Sequence, residues 1–186
     1  APAPLSLEYV GIQVEPYPVC FWRADKSMAV NTDFVIVDLE QGTRDWLEWR
    51  HGGVGASDAP SVMGENRFKS PATLLREKRG PVRESFQNEA MALGTRLEPE
   101  ARRSYIAKTG KAVEPVCVQS VRFDWLRASL DGLSNNRDAV VEIKCGASAY
   151  RLTAESGVVP SYYYGQLQHI LAVTDLNTID FWCYWP

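Results

Sequence analysis

Ala128-Ser129-Leu130-Asp131-Gly132-Leu133, a polar turn at Asn135-Asn136-Arg137-Asp138, and Ala139-Val140-Val141-Glu142-Ile143-Lys144-Cys145 form the stretch from which the fold can be read. Two apolar, β-branched runs flank Asn/Asp turn chemistry, which predicts a β-hairpin. Glu142 and Lys144 are two residues apart in the second strand, so both side chains leave one face. Asp131 ends an apolar run at a glycine, and closing the hairpin brings it near Glu142. Two carboxylates and one ammonium then share a patch. One reading is a hairpin with a turn Asp and an exposed Glu–Lys pair. The other is chemical: paired carboxylates call for a counter-cation, and hard oxygen ligands suit Mg²⁺ or Mn²⁺. The Ile143 backbone carbonyl lies between the two side chains as a further ligand. Lys144 then polarises a phosphate or orients an attacking water, as in metal-assisted phosphodiester hydrolysis.

Outward from this stretch, composition sets bounds. A chain of 186 residues with 45% hydrophobic and 11% aromatic content suits one globular domain. A net charge of -3 argues against a generally basic nucleic-acid coat, but not against a local basic groove. No apolar run is long enough to span a bilayer. Cys20, Cys117, Cys145 and Cys183 are scattered without a C-x-x-C pair, which disfavours a structural zinc or iron–sulfur site. Two disulfides are permitted by count, and free thiols in a cytoplasmic chain are the preferred reading. The Ala-Pro-Ala-Pro start has neither the charged nor the apolar region of an intact signal peptide.

Residues 1–37 read as an extension of short strands, at Tyr9–Val14, Val19–Trp22 and Phe34–Val37, packed on the core as accessory pieces. From Asp38 the character changes. Thr43 caps a helix running to Arg50, and His51-Gly52-Gly53-Val54-Gly55-Ala56-Ser57-Asp58 leads into a short helix at Ala59–Met63. A glycine-rich turn before a helix, with Arg50 beside it, is either an ordinary joint or an anion site. Phe68–Arg79 reads as a helix with Leu74 and Leu75 inward. Its Lys69, Arg76, Lys78 and Arg79 form a solvated face or flank a DNA path. Glu84–Lys108 is the longest helical stretch, and Pro99 predicts a bend or restart. Glu98 within it is an ordinary surface residue unless the helix packs beside Asp131. Val113–Arg127 alternates as two strands. Residues 148–157 are a mobile or short helical connection. A helix follows from Pro160 to Val173, with Tyr163 and Gln166 on one face. His169 in it reads as structural. Ile179–Trp185 is a final strand. This order predicts an α/β (α+β) domain with a central mixed β-sheet flanked by helices.

Five signals in this order carry a resemblance. They are Arg50 with Ser57 in Gly-Ala-Ser-Asp, Gly94-x-x-x-Glu98, Leu130-Asp131-Gly132, Glu142-Ile143-Lys144-Cys145, and Tyr163-Tyr164-Gly165-Gln166-Leu167-Gln168. Residues 38–186 resemble the phage lambda-type exonucleases, or YqaJ-like viral recombinases, of the PD-(D/E)xK nuclease superfamily. The resemblance implies a 5′→3′ exonuclease that digests one strand of linear double-stranded DNA and leaves a 3′ single-stranded tail. It implies that Asp131, Glu142 and the Ile143 carbonyl hold Mg²⁺, with Glu98 helping at the metal site, Lys144 handling the attacking water, and Gln166 and Tyr163 completing the site. Arg50 and Ser57 match a pair that holds the 5′-phosphate of the recessed end. Met91 matches an apolar wedge at the terminal base pair. Relatives are toroidal homotrimers and act with a single-strand annealing protein in a bacterial or phage-infected cell. The superfamily's Pro-Asp is Leu130-Asp131 here. Relatives continue through another strand and a terminal helix beyond Ile179–Trp185, while residues 1–37 have no counterpart in the core pattern. Another nuclease of the superfamily, such as an endonuclease, and a non-catalytic DNA-binding protein on the same fold are the alternatives.

Overall fold

The computed structural model describes residues 9–15, 34–83 and 88–186. The expected strand at Val19–Trp22, Cys20, and the start of the long helix at residues 84–87 lie outside the described residues. Six strands form one mixed sheet: β1 (Tyr9–Val14), β2 (Phe34–Val37), β3 (Val113–Ser120), β4 (Arg127–Ser134), β5 (Val140–Cys145) and β6 (Ile179–Tyr184). Their spatial order is β1-β6-β5-β4-β3-β2. Only β5 and β6 are parallel, and the rest pair antiparallel. A parallel neighbour needs a long crossover. Here α5 (Ala147–Ser156) and α6 (Tyr164–Thr174) supply it and cover one face of the sheet. α4 (Glu89–Thr109) covers the other, burying Ala101 and Tyr105 against Val141, Ile143 and Trp182. Strands β1 and β2 are the two outermost, so the N-terminal strands extend the sheet at both ends.

The helices begin and end where the sequence directs. Thr43 caps α1 (Arg44–His51) by accepting from the Trp46 amide at 3.3 Å, and Ser70 caps α3 (Pro71–Arg79) by accepting from Thr73. Between them lie a 3₁₀ turn at Ala56–Asp58 and α2 (Ala59–Val62). Gly110, at φ +72°, ends α4 in the left-handed region.

Several expectations are corrected. Val113–Arg127 is not two strands: β3 ends at Ser120, a turn follows, and the next strand is the one that carries Asp131. Asp131-Gly132 therefore lies inside β4 rather than at a strand end. Pro99 neither ends nor restarts α4, which runs continuously through it. Leu75 faces outward at 52% exposure, and only Leu74 turns in. Of the two readings of residues 148–157 the helical one holds, as α5 (Ala147–Ser156), and the helix after Pro160 opens with a 3₁₀ turn at Ser161–Tyr163. The turn at 135–138 closes the hairpin as expected, with Arg137 at φ +57°. Cys117, Cys145 and Cys183 are free thiols. Among the described residues no helix is long and apolar enough to cross a membrane.

Gly132 has a packing reason rather than a turn reason. A Cβ there would lie 2.7 Å from both Val113 Cγ2 and Val141 Cγ1. Gly132→Ala should therefore destabilise the protein by about 1–3 kcal/mol, read as a melting temperature several degrees lower; an unchanged value would contradict this packing. His169 is buried on α6 with Nε2 donating to the Arg127 carbonyl at 2.9 Å. Burial holds its pKa below the ordinary value, so the folded state keeps the imidazole neutral. Its contribution is fully present above about pH 6.5 and is lost as pH falls through the depressed folded value, at up to about 1.4 kcal/mol per pH unit. The stability gap between wild type and His169→Gln should narrow between pH 7 and 5 in denaturant melts; a constant gap would refute it.

Candidate active site

The hairpin is not laddered along its whole length. β4 and β5 pair at Gly132↔Val141 and Leu133↔Val140. One step further the Asp131 carboxylate takes the Ile143 N–H at 2.7 Å, in place of a strand carbonyl. Two adjacent β4 carbonyls accept from side chains outside the strand. Gln41 Nε2 donates to Leu130 O at 3.0 Å, and Arg102 Nε donates to Asp131 O at 2.6 Å. The strands open here, and side chains from α4, β5 and α6 meet in the gap.

Glu142 points from β5 toward α6 and is 2% exposed. Lys144 Nζ and Gln166 Nε2 each donate to its Oε1, both at 2.5 Å. Its Oε2 is buried and has no hydrogen-bond partner. The exposed Glu–Lys pair of the bland reading is thereby excluded. Burial raises the Asp131 carboxyl well above the usual range, and Glu142 raises it further. Burial also raises Glu98, which Arg102 counters. Burial works against the charge on Lys144, but Glu142 and Asp131 outweigh it and hold the ammonium above the ordinary lysine range. Glu98 is half-buried, one of its oxygens bonded to Arg102. Tyr163 lies with its ring 5.2 Å from Lys144 Nζ, and burial pushes its hydroxyl up to about 12.

The donor set fits a hard divalent cation on physical grounds. A buried carboxylate oxygen without a partner costs free energy, and a second carboxylate beside it is pushed toward its neutral form. An added cation relieves both. Among the described residues, no group of three His, Cys, Asp and Glu side chains converges as a ready-made cage. Arg102 engages one oxygen of Glu98, so Asp131 and Glu142 are the principal carboxylates for a cation, with Glu98 beside them.

A cleft of about 170 Å³ joins this cluster to the glycine-rich loop, with Arg50, Ser57, Asp131, Glu142, Lys144 and Gln166 all on its walls. Arg50 Nη2 donates to Ser57 Oγ at 2.8 Å, and the guanidinium sits 4.5 Å over the Trp46 ring. Burial works against the Arg50 charge, and Asp58 offsets part of that. Lys78, on α3, donates to the Arg50 carbonyl and to Asp58 Oδ2, both at 2.8 Å. Asp58 Oδ2 in turn accepts the Gly55 amide at 3.1 Å. Met91 lies apart: it sits in the first turn of α4, 51% exposed, and does not line the cleft.

Some residues in or around the cleft were not singled out for the site by the sequence. Arg102 carries a signal, since it follows Glu98 by one helical turn and faces the same way. Trp46 has the same relation to Arg50. Lys78 is indistinguishable in sequence from the solvated lysines around it, and Gln41 has no motif.

The chain is 33% identical over 139 residues to the uncharacterized protein YqaJ of Bacillus subtilis (strain 168), covering 72% of this chain and 43% of that one. It is 24% identical over 185 residues to the uncharacterized protein R354 of Acanthamoeba polyphaga mimivirus, covering 89% and 33%. The chain thus spans less than half the length of either curated relative. Among solved structures it resembles an alkaline exonuclease from Laribacter hongkongensis (LHK-Exo), with a TM-score of 0.66, 31% identity, and 77% and 74% of the two chains covered. The same enzyme in complex with dAMP matches with a TM-score of 0.66 and 32% identity, covering 76% and 74%. The family model for the YqaJ-like viral recombinase domain matches residues 45–177, from α1 to the threshold of β6, and the chain belongs to that family.

Proposed function

We propose that this chain is a divalent-metal-dependent deoxyribonuclease that digests one strand of linear duplex DNA from a 5′-phosphorylated end, 5′→3′, leaving a 3′ single-stranded tail for recombination by strand annealing. One observation carries the reading: the Arg50–Ser57 pair opens onto the same cleft as Asp131, Glu142, Lys144 and Gln166. An arginine held flat on an indole beside a hydroxyl suits a terminal phosphate. A phosphate grip sharing a cleft with a hydrolytic cluster suits an enzyme fed by a strand end, and an endonuclease has no need of it. The alkaline exonuclease among the structural neighbours supports this, as does the deoxynucleoside monophosphate that one of its structures holds. Assembly as a homotrimer and work with a single-strand annealing protein enter the proposal through the family alone.

In this reading Asp131, Glu142 through its unpartnered Oε2, and the Ile143 carbonyl hold Mg²⁺ or Mn²⁺, with Glu98 beside them. The bound cation supplies Lewis acidity at the scissile phosphate and a water of lowered pKa. The remaining work belongs to the chain. Lys144 keeps its protons in the cleft and so acts as a donor, orienting the attacking water and stabilising charge on a phosphate oxygen. Gln166 Nε2 shares Glu142 Oε1 with Lys144, which fixes the carboxylate plane and turns Oε2 toward its buried site. Tyr163 walls the ammonium from solvent. Arg50 and Ser57 hold the end phosphate, so that each cut presents the next one to the same grip. Met91, on the exposed first turn of α4, is the proposed wedge at the terminal base pair.

The direct test is a 5′-phosphorylated linear duplex with Mg²⁺, each strand labelled separately, beside a closed circle. The expected result is shortening of the 5′-phosphorylated strand alone and an intact circle; nicked circles would move the assignment to an endonuclease. EDTA should stop nucleotide release and added Mg²⁺ or Mn²⁺ restore it, whereas undiminished release in chelator would remove the metal. Lys144→Ala should slow cleavage by about a hundredfold or more, with duplex binding by fluorescence anisotropy nearly unchanged. Arg50→Ala should erase the preference for 5′-phosphate over 5′-hydroxyl ends. A preference that survives the substitution takes Arg50 out of the grip.

A further inference from the structure

Glu98 lies near Asp131, Glu142 and Lys144 but on α4, a different layer of the molecule from the sheet that carries them. Pro99 follows it directly and has no N–H to give, so the helix backbone at this point lacks one of its hydrogen bonds. Arg102 lies one turn after Glu98 on the same face of α4 and bonds its carboxylate. Its Nη2 donates to Glu98 Oε1 and its Nε donates to the Asp131 carbonyl at 2.6 Å. One side chain therefore holds the carboxylate on the helix and the main chain of the strand that bears the next carboxylate. The carbonyl it takes is the one at the opening between β4 and β5, where the Asp131 side chain has displaced strand pairing.

An ordinary helix-surface ion pair between residues four apart contributes little and needs no further role. This pair differs in two respects: the Arg102 side chain is only 13% exposed, and its second bond leaves the helix for the sheet. The planar fork of an arginine reaches both acceptors in one fixed geometry, which an ammonium on a flexible stem does not.

We propose that Arg102 is a positioning residue for the metal site, setting the distance and orientation between Glu98 on α4 and Asp131 on β4 without itself touching substrate or cation. This rests on reading the cleft as a divalent-cation site. Partners that orient metal-binding groups change metal affinity by about 10–100-fold when removed. The test is titration of the DNA-free full chain with Mn²⁺ by calorimetry, paired with steady-state digestion of duplex. Arg102→Met should bind Mn²⁺ about 10–100-fold more weakly, with a lower kcat and a duplex KM within a few-fold of wild type. Arg102→Lys should fall between the two and covers the case in which the Met variant does not fold. Wild-type Mn²⁺ affinity and kcat in the Met variant, or in the Lys variant when the Met variant is unfolded, overturns the proposal. A wild-type chain that takes up no Mn²⁺ and digests duplex in chelator removes the metal reading itself, which is a different failure.

Discussion

The site depends on one substitution in a hydrogen-bond ladder: a carboxylate oxygen of Asp131 stands where a strand carbonyl would, 2.7 Å from the Ile143 amide. An antiparallel pair is ordinarily closed by its own backbone groups, and a closed pair has no room for chemistry between its strands. By taking that N–H with a side chain, Asp131 lets β4 and β5 part while leaving no donor unsatisfied. Two β4 carbonyls in the same stretch, of Leu130 and Asp131, are held from outside the sheet by Gln41 and Arg102. A charged side chain in the interior thus serves the fold and opens the site in the same act.

The charges around the opening are paired unequally. Lys144 and Gln166 saturate one oxygen of Glu142, and Arg102 engages one oxygen of Glu98. Asp131 has an amide but no cation bonded to it, and Glu142 Oε2 has nothing. Such an arrangement is unfavourable for a protein at rest, since a buried unpaired oxygen and a carboxyl pushed toward neutrality both weaken it. An added cation would relieve both, which is the physical ground on which the donor set suits one.

Much of this was legible in the sequence, and the parts that were not share a cause. The hairpin, the shared face of Glu142 and Lys144, the cap at Thr43 and the final strand all follow from local patterns: period, turn chemistry and capping. The misreadings arise where tertiary packing overrules local preference. Pro99 reads as a break, yet α4 continues because Ala101 and Tyr105 just beyond it are fully buried against the sheet. The turn at 121–126 reads as strand because Val121, Phe123 and Trp125 alternate, yet Val121 and Trp125 are exposed. Asp131-Gly132 reads as a strand end because Asp-Gly is turn chemistry. The glycine is there because Val113 and Val141 leave no space for a Cβ. The places of Lys78 and Gln41 were not legible because their partners, the Arg50 and Leu130 carbonyls and the Asp58 carboxylate, lie far away in sequence, and no spacing rule reports such contacts.

β4 explains why the Arg50–Ser57 pair, the proposed phosphate grip, and the carboxylate cluster keep a fixed separation. Four of its first five residues are each tied to another element. Arg127 donates from Nη1 to the Trp49 carbonyl, and Ser129 Oγ accepts from the Trp46 indole at 2.8 Å. Leu130 O accepts from Gln41, and Asp131 O accepts from Arg102. Trp46 is the ring on which Arg50 rests, and Trp49 is the residue before Arg50 in the chain. The grip is therefore hung from the first half of the strand whose fifth residue is Asp131. Lys78 adds a second tie, from α3 to the Arg50 carbonyl and Asp58. An enzyme that measures its cut from an end phosphate needs that distance held closely, because an error of about 1 Å in the placement of reacting groups can cost on the order of a hundredfold in rate. A rigid strand is a better ruler than a loop, and here both ends of the measurement are anchored to the same one.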